Sequence, residues 1–210
     1  MLLTPEQFLG FLTAALLITA SPGPDNLMVL SMGVSRGRKQ GVAFGLGCAL
    51  GCLSHTILAA LGISALISAS PIAFTSLKIV GGLYLIYLGS QALRSRGIGH
   101  QIGAQNYPQD SLLKLFSKGL IANSINPKVV LFFLSFLPQF VIQQNGHIGL
   151  QTAQLGITFT VQAVVLFGLL GYFSGAVGQW LNKRPKAGLW LDRIAGSIFI
   201  ALGLRLVLAR

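Results

Sequence analysis

Acidic residues are the scarcest chemistry in this chain, with four Asp and Glu among 210 residues. All charged residues together make up 9% of it, where a soluble domain carries about a quarter. With 53% hydrophobic residues and a mean hydropathy of +0.73, that shortage excludes a water-soluble globule and puts the chain in a membrane. The apolar runs lack the period-two alternation of an outer-membrane barrel, so they read as helices. Cysteine is nearly absent: Cys48 and Cys52 lie four apart in one apolar run, neighbours on a helix face rather than a disulfide across a loop. The 26 glycines and 8 prolines have no triplet period, and the chain is too apolar for disorder, so glycine serves close helix packing. No nucleophile–base–orienter set and no phosphate loop occurs, and the loops are too short for a catalytic domain, which argues against an enzyme.

The net charge of +11 raises the question of nucleic acid, but the positions of the bases answer it. Six apolar stretches, about 7–32, 40–68, 72–93, 115–137, 150–172 and 189–208, each suit a bilayer-spanning helix. Arg36, Arg38 and Lys39 fall between the first two; Arg94, Arg96 and Lys114 between the third and fourth, with Lys118 just inside; Lys183, Arg184 and Lys186 between the last two. The alternate loops, 69–71 and 138–149, have no Lys or Arg, so the positive-inside rule puts both termini outside. Lys78, Arg205 and Arg210 lie near outer span ends, where long side chains snorkel. The first run has no basic n-region or small-residue cleavage site and is expected to remain as a span.

The polar stretch 95–111 divides the chain into halves of three spans: 1–94, a cytoplasmic linker at 95–113, and 114–210. An odd number of spans per half makes the second half insert inverted. The first span of each half is interrupted, at Ser21-Pro22-Gly23-Pro24-Asp25-Asn26 and at Asn123-Ser124-Ile125-Asn126-Pro127-Lys128. Paired interruptions of this kind point to a transporter's binding site. Small residues at helical spacing (Ala43, Gly47 and Gly51; Gly41 and Gly45; Gly82 and Gly89; Gly171 and Gly175; Gly196 and Gly203) read as packing scaffold that lets helices approach closely, and suggest a homodimer through those faces.

Asp25 is eleven residues from Arg36, about 16 Å at the helical rise, which is near the middle of a core of about 30 Å. Lys128, ten residues beyond Lys118 on a span running the other way, reaches about 15 Å. An ionised group at that depth costs at least about 2.5 to 3.5 kcal/mol and needs a partner or a wet cavity. One reading is a structural Asp25–Lys128 pair in a passive pore or non-transporting membrane partner. The other is a site for a free amino acid, whose carboxylate and ammonium match one cation, one anion and two broken helices. Pro24 and Pro127 then restart the helices, with Gly23 or Ser21 and Asn126 leading in, and the exposed N–H groups and helix dipoles favour a carboxylate. Carbonyls freed before each break, with Asp25, suit an ammonium group. Asn26, Asn123 and Asn126 either satisfy the freed backbone groups or touch substrate. His55 shares a face with Cys48 and Cys52, which reads as a proton relay or, alternatively, as part of a cation or metal carrier. No resident cofactor or metal is expected.

The two interrupted motifs are the most specific features. Ser21 to Asn26, followed by Gly33-x-x-x-Gly37-Arg38-Lys39-x-Gly41, resembles the N-terminal motif of the LysE/RhtB amino-acid exporter family. Phe116-x-x-Gly119-Leu120-x-x-Asn123-x-x-Asn126-Pro127-Lys128, running into Phe132 to Phe140, resembles its second motif. Lys78 to Gly89 and Leu191 to Arg205 are also family-like. The resemblance implies a multi-pass inner-membrane exporter of amino acids or close derivatives, driven by proton antiport. It carries over site positions at Pro22, Gly23, Pro24, Asn123, Asn126, Pro127 and Lys128. Asp25 and Asn26 join the expected site from the residue reading alone, and Asp25 with His55 is the expected proton-coupling pair.

Overall fold

The computed structural model describes residues 3–95 and 109–208. Most of the linker expected at 95–113, with Arg96, lies outside the described residues, as does Arg210. The described chain is helical: α1 (Pro5–Ala20), α2 (Pro24–Arg36), α3 (Arg38–Ala69), α4 (Pro71–Arg94), α5 (Leu112–Ser124), α6 (Pro127–Leu131), α7 (Ile148–Tyr172), α8 (Ser174–Lys183) and α9 (Pro185–Leu208). Among the described residues, α7 and the Arg38–Gly62 part of α3 are long and apolar enough to cross a membrane. Leu112–Ser124 and Pro127–Phe140 qualify together as one broken element bent by 48°.

The helix boundaries follow local chemistry. Thr4 and Gln7 form a reciprocal capping box at α1, and Ser70 and Ser111 cap α4 and α5. Pro24 and Pro127 occupy first helical turns, where a missing N–H costs nothing, with Gly23 and Asn126 as the N-caps. The helix from Pro127 continues through a π-turn at Phe132–Phe136 and a 3₁₀ turn at Leu137–Phe140.

Two tight helix groups result. In the first, α3 packs against both α5 and α7. The α3–α5 crossing is backbone on backbone: a Cβ added at Gly119 would strike Phe44 O, and one at Gly47 would strike Phe116 O. In the second, α4 packs against α9 through two reciprocal glycine pairs. A Cβ at Gly82 would sit 2.9 Å from Gly203 O and one at Gly203 2.6 Å from Gly82 O; Gly89 and Gly196 repeat this at 2.6 and 2.7 Å. The Gly82–Gly203 and Gly89–Gly196 faces are therefore consumed inside the chain and are not free for a dimer contact. Of the broken elements, α2 packs against α3 and α7, while α6 touches both α3 and α4.

The core is apolar, around Phe11, Phe132, Phe133 and Leu155, but side-chain placement elsewhere departs from a soluble protein's. Leu58, Leu61, Ile72, Leu113 and Ile125 are exposed, whereas Asp25, Asn26, His55, Asn123, Asn126, Lys128 and Gln151 are buried. At the basic end, Lys114 and Lys118 reach the Asp110 carboxylate at 2.6 and 2.5 Å. Their hydrogen bonds hold that carboxyl below the usual carboxylate range. A depressed acid stabilises the fold fully above its unfolded value, and the contribution disappears as pH falls through the folded one. The Asp110 carboxyl carbon should therefore titrate at lower pH than a free aspartate. A normal midpoint in the NMR titration would show that the two lysines do not hold it.

Candidate functional site

The two breaks meet. After α1 ends at Ala20, the chain runs extended through Ser21 to Gly23, and Lys128, from the first turn of α6, reaches across to donate from Nζ to Ser21 O at 2.9 Å. Gly23 makes room for this reach, since a Cβ there would lie 3.0 Å from Lys128 Nζ. The ammonium also stands 5.3 Å from the centre of the Phe199 ring on α9, a cation–π distance. Lys128 is 7% exposed, and its charge is met by a carbonyl and a ring face.

Asp25 lies in the first turn of α2, where its charge complements the helix dipole, and accepts Asn123 Nδ2 on Oδ2 at 2.7 Å. Asn123 is a junction. Its Oδ1 accepts the Cys52 thiol at 3.4 Å, and its backbone oxygen lies 3.1 Å from His55 Nε2. The face shared by Cys48, Cys52 and His55 thus turns on an amide. Among the described residues no group of three or more His, Cys, Asp or Glu is arranged to hold a metal ion, which counts against the metal-carrier reading.

The other amides satisfy backbone released by the prolines. Asn26 Nδ2 donates to Thr19 O at 2.8 Å, and Asn126 Oδ1 accepts the Lys128 N–H at 3.0 Å. Both still line the same cavity as Asp25 and Asn123. The salt bridges among the described residues both belong to Asp110, so Asp25 and Lys128 share a cavity without forming the contact pair that the structural reading requires.

Two cavities adjoin at the breaks. The inner one, a narrow cavity of about 20 Å³ with room for little more than a water molecule, is lined by Thr19, Gly23, Asp25, Asn123, Asn126 and Lys128, with Phe132, Phe159 and Phe167 as apolar wall. The second, a vestibule of about 300 Å³, shares Gly23, Asn126 and Lys128 and is bounded by Pro22, Pro24 and Pro127. It extends along α4 and α9 past Tyr84, Gln91 and Asp192 to Ser95, towards the basic end. Lys128 thus faces both volumes. His55 lines neither and stands behind Asn123.

Away from the basic end, the inner cavity is closed by rings. Phe132 stacks on Phe136 at 5.2 Å, Phe159 meets Phe132 and Phe133 at 5.2 and 5.0 Å, and Phe11 meets Phe140 at 5.4 Å. Above them Gln151 clamps the following loop, accepting the Ile142 N–H at 3.0 Å and donating to Gly146 O at 2.7 Å, while Gln7 donates to Phe140 O at 2.7 Å.

Thr19, Gln162, Phe199 and Asp192 were not singled out from the sequence. Gln162 Nε2 donates to Thr19 Oγ1 at 2.8 Å and supports the cavity wall from α7. The signal for Gln162 was available in principle, as an amide in the middle of an apolar run.

No solved structure matches this chain significantly. A homoserine/homoserine lactone efflux protein of Salmonella typhimurium is 30% identical over 209 residues, covering 99% of both chains. A leucine efflux protein of an Enterobacter species is 30% identical, covering 95% of this chain and 94% of the relative. A membrane protein of Bacillus subtilis is 32% identical over 95% and 98% of the two chains. A family profile described as LysE type translocator matches residues 16–210, nearly the whole chain and both broken motifs. This membrane chain, a transporter rather than an enzyme, belongs to the LysE-type translocator family.

Proposed function

We propose that this protein exports amino acids or close derivatives from the cytoplasm by proton antiport, and that the cavity between the two breaks is its substrate site. The observation that carries the reading is Lys128: a buried ammonium held, among the described residues, by a carbonyl and a ring, shared by two cavities, with Asp25 opposite. A zwitterion suits that pair of charges, its carboxylate on Lys128 beside the N-terminal turn of α2 and its ammonium near Asp25. Pro22, Gly23, Pro24, Asn26, Asn123, Asn126 and Pro127 shape the site around it. The names of two relatives, a homoserine and a leucine efflux protein, favour the same substrate class.

In this reading the chain makes six spans in an inner membrane: α1 with α2, α3, α4, α5 with α6 and its continuation, α7, and α9. Inversion of the halves is supported by the packing of α3 on α7 and of α4 on α9, each the counterpart of the other. The vestibule runs to the basic end, which the positive-inside rule assigns to the cytoplasm, and the phenylalanine stack faces outward. A homodimer would use a face other than the glycine pairs.

Coupling falls to Asp25, with His55 acting on it through Asn123. Protonation of Asp25 from outside weakens its hold on the substrate ammonium, and the return proton follows. Efflux in Asp25→Asn, measured with and without an imposed proton gradient, is expected to lose its response to the gradient. A wild-type gradient response in that variant would remove Asp25 from the coupling.

A further inference from the structure

We propose that α8 and the turn after it form a docking surface for an anionic phospholipid, whose headgroup is taken by Lys183, Arg184 and Lys186, and that the bound lipid braces α2 through α8.

α8 is ten residues long, too short to span, and its two faces differ. Ser174, Gly178 and Leu181, four and three residues apart, form a buried stripe. That stripe lies on α2: a Cβ at Gly178 would come 2.6 Å from Val34 Cγ2, and Leu181 packs with Leu30. The other face carries Trp180 and Lys183, both exposed and one turn apart.

The bases have no acid of their own chain. Lys183, Arg184 and Lys186 are exposed, and the whole sequence holds four acids. Asp25 and Asp192 are buried, Asp110 is held by Lys114 and Lys118, and Glu6 stands in the first turn of α1. The counter-ion for this cluster therefore comes from outside the chain.

The rings beside the bases say what kind of anion it is. Trp180 and Trp190, the only tryptophans of the chain, bracket the basic run, three residues before Lys183 and four after Lys186. They are 44% and 61% exposed, and Phe173 is exposed with them. A soluble anion answers the charge but leaves these rings in water. A phospholipid answers both, since indoles settle at the headgroup level of a bilayer and anionic lipids collect beside bases there.

What the lipid holds is passed on. The contact between α8 and α2 has no slack, because a Cβ at Gly33 would strike Ser174. The same helix α2 begins at the first break and carries Asp25 in its first turn. A lipid that fixes α8 at the interface thus fixes the helix on which the buried acid sits.

The two tryptophans report on this surface without a label. Their fluorescence is measured on the full chain in phosphatidylcholine nanodiscs that carry equal small shares of brominated phosphatidylglycerol or brominated phosphatidylcholine. Wild type is expected to be quenched by the glycerol lipid as strongly as by about five times as much of the choline lipid. The triple variant Lys183→Gln, Arg184→Gln, Lys186→Gln is expected to be quenched equally by both. Lys183→Gln alone should lower the preference and gives a second reading if the triple variant does not fold. Equal quenching in wild type overturns the site, and so does a preference that survives in the triple variant. Inorganic phosphate, added at constant ionic strength, should leave the wild-type preference unchanged; its loss would make the occupant a free anion and overturn the lipid. Hydrogen exchange of the α2 amides tests the brace. It should be slower with phosphatidylglycerol than without it in wild type and alike in the triple variant, and exchange in wild type that ignores the lipid overturns the brace.

Discussion

Cells carrying Lys128→Ala and loaded with mixed dipeptides should release no amino acid faster than cells without the protein, whereas the wild type accelerates the release of one or a few. Truncating one partner of a buried, hydrogen-bonded charge pair typically costs about 2 to 5 kcal/mol, so affinity for a carboxylate should fall at least about 30-fold. Lys128→Arg keeps the charge but replaces a compact ammonium by a broader fork in a space where Gly23 already lies close, and should retain only part of the activity. Export at the wild-type rate by Lys128→Ala would remove the lysine from the site. A double charge exchange, Asp25→Lys with Lys128→Asp, addresses the alternative in which the two charges merely hold the protein together. Because Asp25 is held by Asn123 and Lys128 by Ser21, the exchange should restore neither stability nor transport. Full recovery of both would favour a structural pair.

The largest stability effect should come from Gly119→Ala. Its new Cβ would meet Phe44 O and lie 3.0 Å from Cys48 N, and backbone atoms in a helix cannot swing aside as a side chain does. Overpacking of this kind typically costs about 1 to 3 kcal/mol, and here α3 and α5 must separate along their closest crossing. Asn123 rides on α5 one turn beyond Gly119, so the bonds it makes to Asp25 and Cys52 are displaced as well. Gly168→Ala is the matched control, since nothing lies within 4 Å of a Cβ there and alanine favours the helix. Thermal unfolding in detergent should show Gly119→Ala melting well below wild type and Gly168→Ala at or above it. Equal melting temperatures for the two variants would mean that the α3–α5 contact is looser than described.

The breaks were legible in the sequence because proline and glycine act on the chain's own backbone. Pro24 and Pro127 begin helices wherever they stand, and Asn126 caps one for reasons local to three residues. Asp25 and Lys128 stood out because charge is rare in such runs. What each faces depends on distant segments, so the shared face of Cys48, Cys52 and His55 was readable but its partner Asn123 was not. Asp192 shows the same limit from the other side: it stands near the end of an apolar run, and its burial is visible only once the helices are packed. The short α8 was missed because a ten-residue helix ending in Lys183 has neither the length nor the apolarity of a span. The π-turn at Phe132–Phe136 was missed because its extra residue per turn has no compositional signature.

The glycine pairs of α4 and α9 have a mechanical consequence. Gly82 with Gly203 and Gly89 with Gly196 interlock backbone to backbone at two points two turns apart, so neither helix can roll or slide against the other without driving a main chain into a main chain. The pair therefore behaves as a single lever. In the other group α3 is locked to α5 at Gly47 and Gly119 and to α7 at Gly41, Gly45 and Gly171, which makes a second rigid body. The chain uncoils at Ser21 to Gly23 and at Ile125 to Asn126, and the Lys128 Nζ–Ser21 O bond ties one of these links to the other. That one bond, 2.9 Å long, is thus where the two uncoiled links are fastened to each other.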